Sequence, residues 1–145
     1  MDKKTFRRLE YICRMTWYIM SLPNYPLNKD KPNYLVYFTN WCPACEIFEG
    51  CSSKNYRCTT CPVNIWRAEA CKLAEEEPDH DSSVCDRYEG LYCSWRHADN
   101  YKEYAYKISK SEWDYLPEYE EIVLDSGIDL DEIERQMIQL FYQSS

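Results

Sequence analysis

Two CxxC pairs, Cys42-Pro43-Ala44-Cys45 and Cys58-Thr59-Thr60-Cys61, stand twelve residues apart in the first half of the chain. A tight turn with two thiols offers both sulfurs to one point, and a loop of this length lets the second turn close over the first. That spacing fits a tetrahedral zinc shell, so Cys42, Cys45, Cys58 and Cys61 are the expected metal ligands and structural zinc the expected cofactor. Pro43 and Pro62 each follow one of these cysteines and pre-set φ beside the turn, which reduces the disorder that metal binding must remove.

Whether nine cysteines ligate metal or form disulfides depends on the compartment. Residues 1–8 are charged like the head of a signal peptide, but Glu10 and Arg14 interrupt the apolar stretch behind them. Leu22-Pro23 then follows without a small-residue cleavage site. Residues 1–22 therefore read as an amphipathic helix of the mature protein, and the cytoplasm as its compartment. The odd cysteine count also argues against a closed disulfide framework.

The remaining cysteines are Cys13, Cys51, Cys71, Cys85 and Cys93. Cys13 falls on the apolar face of the first helix and reads as core. Cys51, inside the loop, is a substitute ligand, and His80, Cys85, Cys93 and His97 are candidates for a second, loosely spaced metal site. A Cys93/His97 nucleophile pair lacks an orienting third group or an oxyanion motif, so no catalytic residue and no enzymatic activity are expected.

Hydrophobic periodicity sets the rest of the fold. Phe6, Leu9, Cys13, Thr16 or Trp17, and Met20 recur at helical steps up to Pro23, and residues 24–33 form a proline-rich connection. Tyr34-Leu35-Val36-Tyr37-Phe38 is aromatic and β-branched and predicts a strand leading to Cys42. Helices are predicted from Ile65 to Glu77, after the Asn100/Glu103 capping signal, and after Asp129/Glu132, where Leu130, Ile133, Met137, Leu140 and Phe141 make the cleanest stripe. Gly127 is the expected stop of a short helix before it. The expected class is mainly α with a small β element, as one domain over 1–145 whose helices pack around a cysteine-rich zinc knuckle. Within it residues 1–22 are the first helix, 34–62 a strand plus the four-cysteine module, and 63–145 helical with an acidic final third.

Charge placement narrows the partner. The net charge is −8, yet residues 1–14 hold Lys3, Lys4, Arg7, Arg8 and Arg14, whereas no Lys or Arg occurs from Glu112 to Glu134. Nucleic acid demands a basic footprint, and only the first helix offers one, so a protein partner with a basic surface is the primary expectation. The acidic run and the fourteen tyrosines suit docking on such a protein. No apolar run is long enough to span a membrane, and none is expected as a partner.

Taken together, Cys42-Pro43-x-Cys45, Cys58-x-x-Cys61-Pro62, the later Cys85 and Tyr92-x-x-Trp95 resemble the small cysteine-rich proteins of unknown function encoded by tailed bacteriophages. The resemblance covers roughly residues 34–110. It implies the same four ligands with Cys85 as the extra cysteine, and a phage accessory protein that acts on a host or defence factor in the host cytoplasm. A local stretch, Leu35-Val36-Tyr37-Phe38-Thr39-Asn40-Trp41-Cys42-Pro43-Ala44-Cys45, is similar to the strand and WCxxC turn of thioredoxins. It implies a thiol oxidoreductase in which Cys42 attacks and Cys45 resolves. Three functions are thus weighed: a zinc-stabilised protein-binding module, a thiol oxidoreductase, and a zinc-dependent nucleic-acid-binding protein that uses the basic first helix.

Overall fold

A computed structural model of the chain describes residues 1–26, 30–47, 59–76 and 91–145. Five α-helices lie among the described residues: α1 (Lys3–Ser21), α2 (Asn64–Glu76), α3 (Leu91–His97), α4 (Tyr101–Ser109) and α5 (Leu130–Ser144). The class is mainly α, as the periodicity predicts.

Helix α1 opens where the Asp2 carboxylate accepts the N–H of Thr5 at 2.7 Å, satisfying one donor of the first turn. It ends at Leu22, which is extended with ψ 143°, the conformation that the following Pro23 favours. Between these ends Phe6, Leu9, Ile12 and Ile19 are fully buried and Cys13, Thr16, Trp17 and Met20 nearly so. Burying each large apolar side chain of this stripe contributes about 1.5–3 kcal/mol. Helices α4 and α5 and the 3-10 turn Pro43–Glu46 all pack on α1, and α3 packs on α4. Thr16 is tolerated inside the core because its hydroxyl donates to the Ile12 carbonyl at 2.7 Å and lies 2.6 Å from the Tyr34 hydroxyl.

Aromatic rings fill the two ends of this arrangement. Phe6 meets Tyr115 edge-on at 5.1 Å and stacks on Tyr119 at 5.9 Å, while Trp17 meets Trp95 edge-on at 5.0 Å. The tyrosines therefore divide: Tyr25, Tyr34 and Tyr119 are core, and Tyr11, Tyr37, Tyr106 and Tyr142 are exposed.

The expected strand over Tyr34 to Phe38 is not formed. Asn33–Tyr37 is a 3-10 turn, closed by the Leu35 N–H on the Pro32 carbonyl at 3.1 Å and the Phe38 N–H on the Leu35 carbonyl at 3.0 Å. A strand would bury alternate residues, whereas here Tyr34, Leu35 and Phe38 are inside and Val36 and Tyr37 outside, a spacing set by three-residue turns. β-propensity needs a neighbouring strand to be realised, and among the described residues the only β pairing is the isolated antiparallel bridge between Val63 and Trp113. The small β element thus reduces to that bridge.

Two local signals work differently from expectation. Asn100 precedes α4, but its amide donates to the Glu103 carboxylate at 2.7 Å and does not cap a backbone N–H. Gly127 follows no helix. The 3-10 turn Pro117–Glu121 ends at Ile122, and the Gly127 N–H is held by the Asp125 carboxylate at 2.8 Å in a separate turn. The cap of α5 is as read, with the Asp129 carboxylate accepting the Glu132 N–H at 3.1 Å and Leu130, Ile133 and Met137 buried beneath.

The acidic run is partly neutralised by residues distant in sequence. Arg8 pairs with Asp131 and, at 2.6 Å, with Glu134, while Asp114 pairs with Arg67. Glu118, Glu120, Glu121 and Asp125 stay exposed.

Tyr119 joins this core to the second CxxC turn, since its fully buried ring carries a hydroxyl that donates to the Thr60 carbonyl at 2.6 Å. Tyr119→Phe should cost about 1–3 kcal/mol by leaving a carbonyl unsatisfied, measured by urea unfolding with an unchanged slope. Overlaying melts would show that the hydroxyl does not help to hold the cysteine turn.

Candidate metal and thiol site

The chain reaches Cys42 through a strained corner. Asn40 and Trp41, at φ 55° and 58°, both lie in the left-handed region. Asn tolerates that region, but a bulky Trp there costs on the order of 1–3 kcal/mol. Hydrogen bonds hold the corner: Trp41 N–H to the Phe38 carbonyl at 3.1 Å, Cys42 N–H to the Thr39 carbonyl at 3.2 Å, and Thr39 N–H to the Glu46 carboxylate. Cys42 is extended, and Pro43 then starts the 3-10 turn Pro43–Glu46 that carries Cys45, whose N–H returns to the Cys42 carbonyl at 3.0 Å. The turn therefore folds both thiols back toward α1.

Cys13 on α1 meets this turn. Cys13 and Cys45 both hydrogen-bond the Cys42 sulfur, and those contacts, aided by the Lys31 ammonium and the Ala44 N–H, hold the Cys42 thiol well below the usual range despite burial. Cys13 is pushed up, first by donating to Cys42 and then by burial. Of these thiols Cys42 is thus the one favoured to lose its proton, with Cys13 and Cys45 as donors to its sulfur. Lys31 sits over the rings of Tyr92 at 4.7 Å and Trp17 at 5.7 Å, and its Nζ lies 3.5 Å from the Trp41 carbonyl.

Cys61 arrives by another route. Its carbonyl accepts from Arg67 Nη1 at 3.0 Å, and the next residue, Pro62, accepts the Asp114 N–H at 2.9 Å. Arg67 also pairs with Asp114, so a half-buried guanidinium fork ties the turn to the segment after α4. Cys61 is 1% exposed, belongs to the same buried cluster as Cys13 and Cys45, and acts electrostatically on Cys13.

Of the expected ligands Cys45 and Cys61 are buried in the hydrophobic core and Cys42 is half-buried against it, and Cys58 lies outside the described residues, as do Cys51, His80 and Cys85. Among the described residues no group of three or more His, Cys, Asp or Glu side chains is arranged to hold a metal ion. The fold is thus mainly α, and the zinc knuckle around which its helices are expected to pack is not seen among those residues. Of the second candidate site, Cys93 is half-buried and His97 exposed on α3, with no hydrogen bond between them. Cys71 is exposed on α2 and donates to the Thr59 carbonyl at 3.8 Å.

Sequence reasoning missed Cys13 and Lys31 as partners of Cys42. Both are distant in sequence from the CxxC turn, and a core cysteine on a helical stripe carries no signal that separates it from packing. The thioredoxin-like reading loses its structural frame, because the segment before Cys42 is a 3-10 turn and no sheet faces it among the described residues.

Comparison with protein-family models, with curated proteins and with solved structures finds no match to this chain. Among the described residues no helix is long and apolar enough to cross a membrane.

In metal-free chain that keeps its fold, the state that the zinc reading excludes and a free-thiol reading requires, alkylation of Cys42 should have a pH midpoint below about 8.5, the value of a free cysteine. Lys31→Met should move that midpoint upward, because it removes a cation that favours the thiolate. Mass spectrometry of the labelled peptide reads both, and an unshifted midpoint in the parent would count against the Cys13–Cys42 contact.

Proposed function

We propose that the chain is a non-enzymatic, zinc-stabilised binding protein in which Cys42, Cys45, Cys58 and Cys61 hold one structural zinc ion. The observation that carries the reading is that Cys42 and Cys45 share one turn against the core, where Cys42 is favoured to lose its proton, as a metal ligand must, and that Cys61 lies near enough to act electrostatically on Cys13, the donor to Cys42. The Cys13 thiol donates to the Cys42 sulfur from α1, the kind of outer contact that orients a ligand. Zinc, when bound, would supply a structural cross-link only. Apparent binding energies of about 10–16 kcal/mol for such sites equal the whole stability of a small domain.

The docking surface of this reading is the exposed acidic set Glu118, Glu120 and Glu121, and its partner a protein with a basic face. The likeness to cysteine-rich phage proteins supplies the setting, an accessory role on a host or defence factor in the host cytoplasm. A second reading has one observation in its favour. Cys42, whose sulfur accepts two thiol hydrogen bonds beside a proline-initiated turn, is also suited to attack a disulfide with Cys45 as the resolving thiol.

Elemental analysis of protein purified without chelators should give about one zinc per chain. Cys42→Ser or Cys61→Ser should abolish it and the cooperative unfolding transition, and Cys71→Ser should do neither. Cooperatively folded, metal-free protein would sink the zinc reading. Zinc-free protein that reduces insulin disulfides, and fails to after Cys42→Ser, would establish the oxidoreductase instead. The substitutions Glu118→Gln, Glu120→Gln and Glu121→Gln together should leave zinc content and melting temperature unchanged while slowing association with a basic partner at low salt. Unchanged association would leave these carboxylates as a solvated face.

A further inference from the structure

Cations and aromatic rings alternate along the outer face of α1: Arg7, Tyr11, Arg14 and Tyr18 follow one another at steps of four, three and four residues. Those steps place them in one row, with about 10 Å along the axis between the two arginines and again between the two tyrosines. Helix α4 and the residue after it add a second bank. Tyr106 packs against Tyr18 with ring centres 6.5 Å apart, and Lys110 lies 5.0 Å over the Tyr106 ring. Along the α1 row runs an open groove of about 380 Å³, bordered on the far side by Ser109 and Lys110.

The two arginines are braced. Glu10, whose side chain is only 12% exposed, binds Arg7 Nη1 at 2.6 Å through one oxygen and Arg14 Nη1 at 3.2 Å through the other. Arg14 Nε is further held by the Ser109 carbonyl at 3.0 Å, and Arg7 Nη1 lies 3.4 Å from the Trp113 carbonyl. Among the described residues neither Nη2 has a hydrogen-bond partner. A shared carboxylate therefore fixes two guanidinium groups at the groove, with donors left over and most of their rotamer entropy already lost. Tyr11 and Tyr106 remain 44% and 47% exposed beside them.

We propose that this groove binds single-stranded nucleic acid, with Arg7, Arg14 and Lys110 on the phosphates and Tyr11 and Tyr18 as stacking platforms for bases. Charge complementarity requires an anionic occupant, and the interleaved rings favour a nucleic-acid strand over an acidic peptide, because every base offers a face to stack. A duplex hides those faces. The acidic remainder of the chain repels a polyanion, which confines the strand to this groove and makes binding weak and steeply salt-dependent. The site uses no cysteine, so it stands or falls independently of the zinc reading.

The test is fluorescence anisotropy of a labelled twelve-residue oligothymidylate with the full chain between 20 and 200 mM salt. Three phosphate contacts to a single strand predict a slope of log affinity against log salt of about −2, or roughly a hundredfold loss over that range. Replacing Arg7 and Arg14 alone would strand a shielded carboxylate, so the variant is Arg7→Gln with Glu10→Gln and Arg14→Gln, and its melting temperature is measured alongside. It should reduce the slope to about −0.7. Tyr11→Leu, which keeps apolar bulk, should weaken binding at least about fivefold with the slope unchanged. No binding at 20 mM salt, an unchanged slope in the triple variant, or tighter binding of the matching duplex would overturn the proposal. Capture of oligoglutamate as tightly as of oligothymidylate, with Tyr11→Leu harmless, would assign the groove to acidic protein segments and overturn it equally.

Discussion

Burial of one face of α1 is the contact on which the remaining structure depends. Phe6, Leu9, Ile12, Cys13, Thr16, Trp17, Ile19 and Met20 form a stripe wide enough to receive neighbours on several sides, and α4, α5 and the Pro43–Glu46 turn all use it. A helix of nineteen residues is not held by its own hydrogen bonds in water, so its order comes from those partners, and theirs from it. The stripe also carries Cys13 to the CxxC turn. Packing and thiol chemistry therefore share one surface.

That sharing explains why the thiols differ although their sequence settings are alike. Cys13 and Cys42 are both cysteines in apolar surroundings, and burial alone would push both up. Two thiol donors, the Lys31 ammonium and the Ala44 N–H reverse the direction for Cys42. Cys13, which gives its proton to that bond, moves the other way. The strained corner at Asn40 and Trp41 belongs to the same device, since it turns the chain so that Cys42 and Cys45 face the helix. Backbone strain of this kind persists only where its surroundings hold it, and here the Phe38 and Thr39 carbonyls and the Glu46 carboxylate do so.

Electrostatics follows the same division between chain order and space. A run without bases from Glu112 to Glu134 reads as one uniform acidic strip, but Arg8 folds onto Asp131 and Glu134, and Arg67 onto Asp114. What remains is an acidic patch of Glu118, Glu120 and Glu121 on the 3-10 turn Pro117–Glu121, a different element from α1, where Glu10 braces two arginines. The two signs are thereby presented on different elements, so partners of opposite charge need not compete for one surface.

The helical class, the buried faces of α1 and α5 and the Asp129 cap were all legible in the chain. Each rests on local information: a 3.6-residue period or a capping side chain. The segment at Tyr34 was misread for a matching reason, because β-propensity describes a side chain's fit to a neighbouring strand, and no local pattern says whether that neighbour exists. The partners of Cys42 were invisible for a different one. Cys13 and Lys31 reach it only after α1 docks, across 29 and 11 positions of sequence. The sequence alone determined which faces must be buried and which residues can ligate or stack. Only the tertiary structure decided which of them meet, because contact across long separations depends on how the helices dock, and no short window of sequence contains that docking.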